Sequence, residues 1–174
     1  MKSSRLAVLA SLMLAAPAFS APTVEPFPKT GTYHGLTEPS AALTDPGRGL
    51  ACSLTDGALA CFDSQAEATA SDRVAGLRSG SVPVSALSSC SPGLTVYVNN
   101  NYGGSSLSLN SYPGWFGLGG FSNTVSSWST GCRSGKLADL AGGGGAQRSL
   151  GSYNGEGNLW IYGYDNVASS AYRG

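Results

Sequence analysis

The sequence predicts an all-β sandwich, and three observations carry that prediction. From Cys90 onward, short apolar alternations are separated by clusters of Gly, Asn, Ser and Pro, the punctuation of strands and tight turns. An internal repeat runs at a spacing of roughly 40 residues: Asn123-Thr124-Val125-Ser126-Ser127 recurs as Asn166-Val167-Ala168-Ser169-Ser170. The composition can build a core, since 41% of the 174 residues are hydrophobic and 11% are charged. That balance excludes a disordered chain. The 25 glycines cluster rather than recurring every third position, which excludes a collagen helix.

The first element is an export signal. Lys2 and Arg5 precede an apolar run over 6–16, Pro17 breaks it, and Ala18 and Ser20 supply the small residues before a cut at Ala21. Residues 1–20 are therefore read as a signal peptide, and the mature chain as secreted, extracellular or periplasmic. No later segment approaches the roughly 20 apolar residues of a membrane span, so no membrane attachment is expected after signal removal. Loss of Lys2 and Arg5 leaves 8 bases against 10 acids. That balance gives no basic excess for nucleic acid.

Residues 21–89 form an N-terminal extension, a candidate propeptide. Residues 21–50, rich in Pro, Thr, Gly and Ala, are expected to be an extended or poorly ordered lead, with His34 solvated. Four cysteines in an exported chain imply two disulfides, and three pairings exist. A type I′ turn centred on Asp56-Gly57 pairs Thr55 with Ala58, Leu54 with Leu59, Ser53 with Ala60 and Cys52 with Cys61. The cysteines then occupy a non-hydrogen-bonded pair with Cα atoms about 4.5 Å apart, inside disulfide reach. Cys90–Cys132 follows by elimination. Ser64 and Glu67 have the spacing of a capping box, with Asp63 as an alternative cap. They predict one short helix running to Leu77 and ending by Gly80. Residues 82–92 read as a linker.

Residues 90–174 form the predicted β domain, expected to fold alone. Leu94, Val96 and Val98 alternate with polar or aromatic neighbours, as do Leu107 and Leu109, and 99–104 turns the chain between them. Leu159-Trp160-Ile161-Tyr162 reads as another strand, with Trp115, Trp128 and Trp160 as core or inter-motif contacts.

These residues resemble the βγ-crystallin superfamily. Each Greek-key motif of that family carries aromatic-x4-aromatic-x-Gly in its first hairpin, and Tyr97, Tyr102 and Gly104 stand in those places. The microbial calcium-binding members also carry Asn/Asp-Asn/Asp-x-x-Ser/Thr-Ser. Asp165-Asn166-Val167-Ala168-Ser169-Ser170 fits all six places, and Ser122-Asn123-Thr124-Val125-Ser126-Ser127 fits five. In the second hairpin, Leu137 and Gly142 take the aromatic places before Gly144. The resemblance implies a Greek-key sandwich of two such motifs, preceded by the signal peptide, the disulfide hairpin and the short helix.

It also implies calcium, a hard cation bound through oxygen. In the family each ion lies between the terminal loop of one motif and the first hairpin of the other. Carried over, Asp165, Asn166 and Ser169 face Asn99, Asn100 and Asn101, while Asn123 and Ser126 face the loop over 142–145. Few carboxylates contribute, so binding is expected to be weak. Secreted bacterial metalloproteinase inhibitors also resemble the chain. For that alternative, Pro113-Gly114-Trp115-Phe116-Gly117 could supply the loop and a secreted protease the partner, although buried core aromatics are the commoner reading of that segment. A structural protein meeting a cell-surface component is a third class, and a toxin of related fold a fourth. Catalysis is not expected. Asp139, Glu156 and Asp165 are the only carboxylates after Cys90, nothing pairs two of them, and no base accompanies the serines.

Overall fold

Two-residue turns set the register of the N-terminal region. The computed structural model describes residues 24–78, 93–110 and 113–174. The signal segment, Cys90 and the expected linker lie outside them. Asp56 and Gly57 both take positive φ (48° and 76°) and close the hairpin of β4 (Ala51–Thr55) and β5 (Ala58–Phe62). All four expected pairs form, and the Cys52–Cys61 disulfide joins Cα atoms 4.0 Å apart. Cys132 is also disulfide-bonded, while its expected partner Cys90 is not among the described residues.

The lead over 21–50 is ordered from Val24 onward, contrary to the expectation from its composition. His34 and Gly35 (φ 49° and 77°) form a second turn of this kind, joining β2 (Thr30–Tyr33) to β3 (Leu36–Pro39). His34 is exposed, 3.1 Å from Asp63, whose other oxygen accepts from the Tyr33 hydroxyl at 2.6 Å. A short helix α1 (Ser40–Leu43) and the 3₁₀ turn Pro46–Arg48 lead into β4. The predicted helix is α2 (Gln65–Arg78), and the Glu67 N–H donates to Ser64 Oγ at 3.3 Å as a capping box requires.

The following strands are β6 (Leu94–Asn99), β7 (Gly103–Leu109), β8 (Gly114–Gly117) and β9 (Ser127–Thr130). The second set is β10 (Gly135–Ala138), β11 (Gln147–Leu150), β12 (Gly155–Glu156) and β13 (Ser170–Arg173). Each set sends its third strand to the opposite sheet. β8 joins β13, β10 and β11, whereas β12 joins β9, β6 and β7. The exchange makes two Greek-key motifs into one sandwich.

The N-terminal region extends both sheets. β1 (Val24–Glu25) runs parallel to β8, and β4 runs parallel to β7, carrying β5, β2 and β3 behind it. Leu43, Leu50, Cys52, Leu54 and Leu59 enter the same core as Leu94, Val96, Leu107, Phe121, Trp128 and Leu137. On the outer face of the larger sheet, Gln65 of α2 donates to Ser108 Oγ at 3.2 Å and accepts from Ser106 Oγ at 2.7 Å. These bonds satisfy serines that are buried.

Two further expectations are corrected. Leu159–Tyr162 is a 3₁₀ turn rather than a strand: the Asn158 side chain accepts from the Trp160 N–H at 3.1 Å, and Gly163 closes the turn at φ 65°. Only Leu159 of the four turns inward, so Trp160 is exposed while Trp115 and Trp128 are buried. The segment that could have entered a proteinase cleft is interior strand β8, where Trp115 and Phe116 are core residues, as the commoner reading of those aromatics has it.

Candidate metal centre

The two motifs superpose bond for bond in their loops. In each hairpin a 3₁₀ turn follows the first strand, Asn100–Tyr102 in one and Ala141–Gly143 in the other. Asn101 and Gly142 are left-handed at φ 55° and 66°, and Gly104 and Gly145 at φ 72° and 71°. The last serine of each six-residue loop clamps its own hairpin. Ser127 Oγ donates to Asn99 O at 2.6 Å and accepts from the Tyr102 N–H at 3.0 Å. Ser170 Oγ donates to Leu140 O at 2.6 Å and accepts from the Gly143 N–H at 3.0 Å. Ala138, Gly143 and Gly145 are thus the equivalents of Tyr97, Tyr102 and Gly104. This moves the expected alignment of the second hairpin on by one residue.

The first hairpin holds its aromatic pair, Tyr97 against Tyr102, with ring centroids 5.6 Å apart and nearly perpendicular. In the second hairpin the equivalent of Tyr102 is Gly143, and the indole of Trp115 from β8 occupies the space a side chain would take. The two terminal loops face one another. The Asn123 N–H donates to Ala168 O at 2.8 Å, and the Asn166 N–H to Val125 O at 2.9 Å. Both asparagines are left-handed, at φ 58° and 56°.

Residues 93–110 and 113–174 form two Greek-key motifs joined by the exchange of β8 and β12, the arrangement that the resemblance implies. No family model matches the chain, and no curated protein matches it. Among solved structures it is similar to a βγ-crystallin from an archaeon, at 24% identity over 46% of this chain and 94% of that one, with a TM-score of 0.41. It is also similar to a structure described under the evolution of the eye-lens βγ-crystallin domain fold. That match has 16% identity over 47% of this chain and 83% of that one, with a TM-score of 0.40.

Within this pair of motifs the candidate ligands meet across the motif boundary. Ser169 Oγ donates to Asn123 Oδ1 at 3.1 Å, and Ser126 Oγ donates to Asn166 Oδ1 at 3.5 Å. The sequence grouping set Ser169 beside Asn166 and Ser126 beside Asn123, and the structure exchanges the two serines. Each serine is tied by its own N–H to a hairpin, Ser126 to Tyr97 O at 2.9 Å and Ser169 to Ala138 O at 2.8 Å. Asn166 therefore stands toward the first hairpin and Asn123 toward the second. Asn99 and Asn100 use main-chain carbonyls locally, the first for Ser127 and the second for the Gly103 N–H.

Asp165 turns one oxygen to the Asn166 amide at 3.0 Å, while its buried Oδ1 has no hydrogen-bond partner. Hydroxyl, amide, carboxylate and main-chain oxygens together form a hard donor set. An unsatisfied buried carboxylate oxygen is the group a cation relieves. Among the described residues no three His, Cys, Asp or Glu side chains cluster, so any metal held here would rest mostly on neutral oxygens, with Asp165 the carboxylate of the set. Asp139 was not singled out from the sequence. It occupies the place of Val98 in the first hairpin, lies over Gly145, and also has a buried Oδ1 without a partner. Its charge, after burial itself, raises the Tyr164 phenol above the usual 10.0, and Arg148 opposes it. The recoverable signal was an acid directly before the glycine-rich hairpin loop.

Proposed function

We propose that this is an exported, non-catalytic protein of βγ-crystallin fold that binds calcium weakly through its paired terminal loops. The observation that carries the reading is the reciprocal pairing of Asn123 with Ser169 and Asn166 with Ser126, beside the unpartnered oxygen of Asp165. Asn123, Ser169 and main-chain oxygens of the second hairpin would hold one ion. Asn166, Ser126, Asp165 and oxygens of the first hairpin would hold the other. Bound calcium would supply charge neutralisation and cross-linking of the motifs, stabilising the fold in proportion to RT ln(1 + [L]/Kd). The second of these sites has one carboxylate and the first none, a small charge that supports a Kd on the order of 10⁻⁴–10⁻³ M, the range of extracellular modules. Titration calorimetry with CaCl₂ against an EDTA-treated sample is the test. Binding heat with a higher melting temperature is expected. Neither heat nor a shift at millimolar calcium overturns the reading.

A further inference from the structure

Trp160, Ile161 and Tyr162 are 72%, 58% and 49% exposed, yet the turn that carries them is pinned from several sides. Leu159 is fully buried and its N–H donates to Ser126 O at 2.9 Å. The Tyr164 hydroxyl donates to Ala146 O at 2.8 Å, and the Arg148 guanidinium lies 3.7 Å from the centre of the Tyr162 ring. The fold does not demand this apolar tip. In the first motif the matching arch runs from Leu118, bonded to Ser169 O, to Asn123. It has four residues between them, 119–122, where the second has six, 160–165. The shorter arch carries Gly119 and Gly120, with Phe27 and Thr44 packed against them.

We propose that the tip at Trp160, Ile161 and Tyr162 docks into the surface of an anionic phospholipid bilayer. A 3₁₀ turn sets successive side chains about 120° apart and eclipses residues three apart, so Tyr162 stands over the buried Leu159 while Trp160 and Ile161 project from the two free sides. Three residues fall far short of the roughly 800 Å² per partner that a stable dimer buries. Trp and Tyr favour the headgroup boundary, and a cation beside them matches anionic phosphate. Arg148, stacked on the Tyr162 ring, supplies that cation. It is not ion-paired to a carboxylate among the described residues. Of the acids near the turn, Asp139 and Asp165 each bury an oxygen, the second oxygen of Asp165 is held by Asn166, and Glu156 accepts from the Asn158 N–H at 3.1 Å.

The test is flotation of the form beginning at Ala21 with phosphatidylcholine vesicles and with phosphatidylcholine–phosphatidylglycerol vesicles. EDTA is present throughout, so that calcium plays no part. The mixed vesicles are expected to carry the protein and to shift the Trp160 emission to the blue. Trp160→Ser with Ile161→Ser should lower the bound fraction by about tenfold or more, with an unchanged melting temperature. Arg148→Gln should abolish the preference for phosphatidylglycerol. Absence of flotation, or flotation unchanged in the double variant, overturns the proposal. So does self-association that the double variant loses while vesicles are ignored.

Discussion

Gly143 lies against the indole ring of Trp115, in the place where the first hairpin carries Tyr102. The relation is mirrored in the other motif, where Tyr102 reaches within 3.0 Å of a Cβ built on Gly155, the strand residue equivalent to Trp115. Each motif therefore fills the gap between hairpin and exchanged strand with one aromatic ring, supplied from opposite sides. Trp115→Ala should cost about 3–5 kcal/mol by leaving that space empty. Gly143→Tyr should be strongly destabilising alone, because φ is 81° and the ring already stands there. Combined with Trp115→Gly it should recover at least about 1 kcal/mol of coupling in a denaturant double-mutant cycle. Strict additivity would show that the two residues do not share the space.

The N-terminal region and the domain that follows share a core, which sets the outcome of cutting between them. A fragment starting near Ser88 loses β4 from the edge of β7 and the buried side chains of Leu43, Leu50, Leu54 and Leu59. We expect its melting temperature to fall by at least about 10 °C relative to the form beginning at Ala21. That shift corresponds to a few kcal/mol in a domain of this size. Equal melting temperatures would mean that the shared core contributes nothing to stability.

Peptide mapping without reduction should join Cys132 to Cys90. That link closes a loop of roughly 40 residues and stabilises by about 3–4 kcal/mol in the chain-entropy model. A peptide joining Cys132 to any other cysteine contradicts both the elimination argument and the hairpin bond already seen between Cys52 and Cys61.

Local signals were legible and non-local ones were not. Asp56-Gly57 fixed a whole register, and Ser64 with Glu67 placed a helix start, because in both cases the decisive bonds lie within a few residues. His34-Gly35 is the same kind of turn and was readable, but the Pro and Thr around it masked two short strands. Leu159-Trp160-Ile161-Tyr162 has a strand's composition. Its flanks decide otherwise, since Asn158 caps and Gly163 reverses the chain. The one-residue shift in the second hairpin arises in a run of glycines, where no side chain marks the register. The exchange of Ser126 and Ser169 between the candidate sites depends on how two motifs face each other, which no spacing within one motif encodes.

Alkaline titration isolates one buried group. Burial first, then the charge of Asp139, raises the Tyr164 phenol above its unfolded value of 10.0. The folded protein favours the neutral phenol, so this contribution is complete below pH 10.0 and is lost as pH rises toward the folded pKa. Tyr164→Phe should flatten the fall in stability over that window, after allowance for the lost bond to Ala146 O. An unchanged slope would place the titrating group elsewhere.

The exchanged serines make the calcium reading separable site by site. If Asn166 and Ser126 serve one ion, then Asn166→Ala and Ser126→Ala should remove the same part of the calcium-induced rise in melting temperature. The double variant should then lose little more than either single one. Asn123→Ala and Ser169→Ala should behave likewise for the other site, and Asn123→Ala combined with Asn166→Ala should be additive, because the two act on different ions. Asp165→Ala should fall in the Asn166 group and remove most of its share, since it supplies that site's only carboxylate and ligand charge helps set affinity. Ser126 and Ser169 already hold Asn166 and Asn123 without metal, so their loss should also lower stability in EDTA, by about 0.5–1.5 kcal/mol for each hydrogen bond. That baseline is measured first and subtracted. Non-additivity within the pairs Asn166–Ser169 and Asn123–Ser126 instead would restore the grouping read from the sequence and refute the crossed assignment.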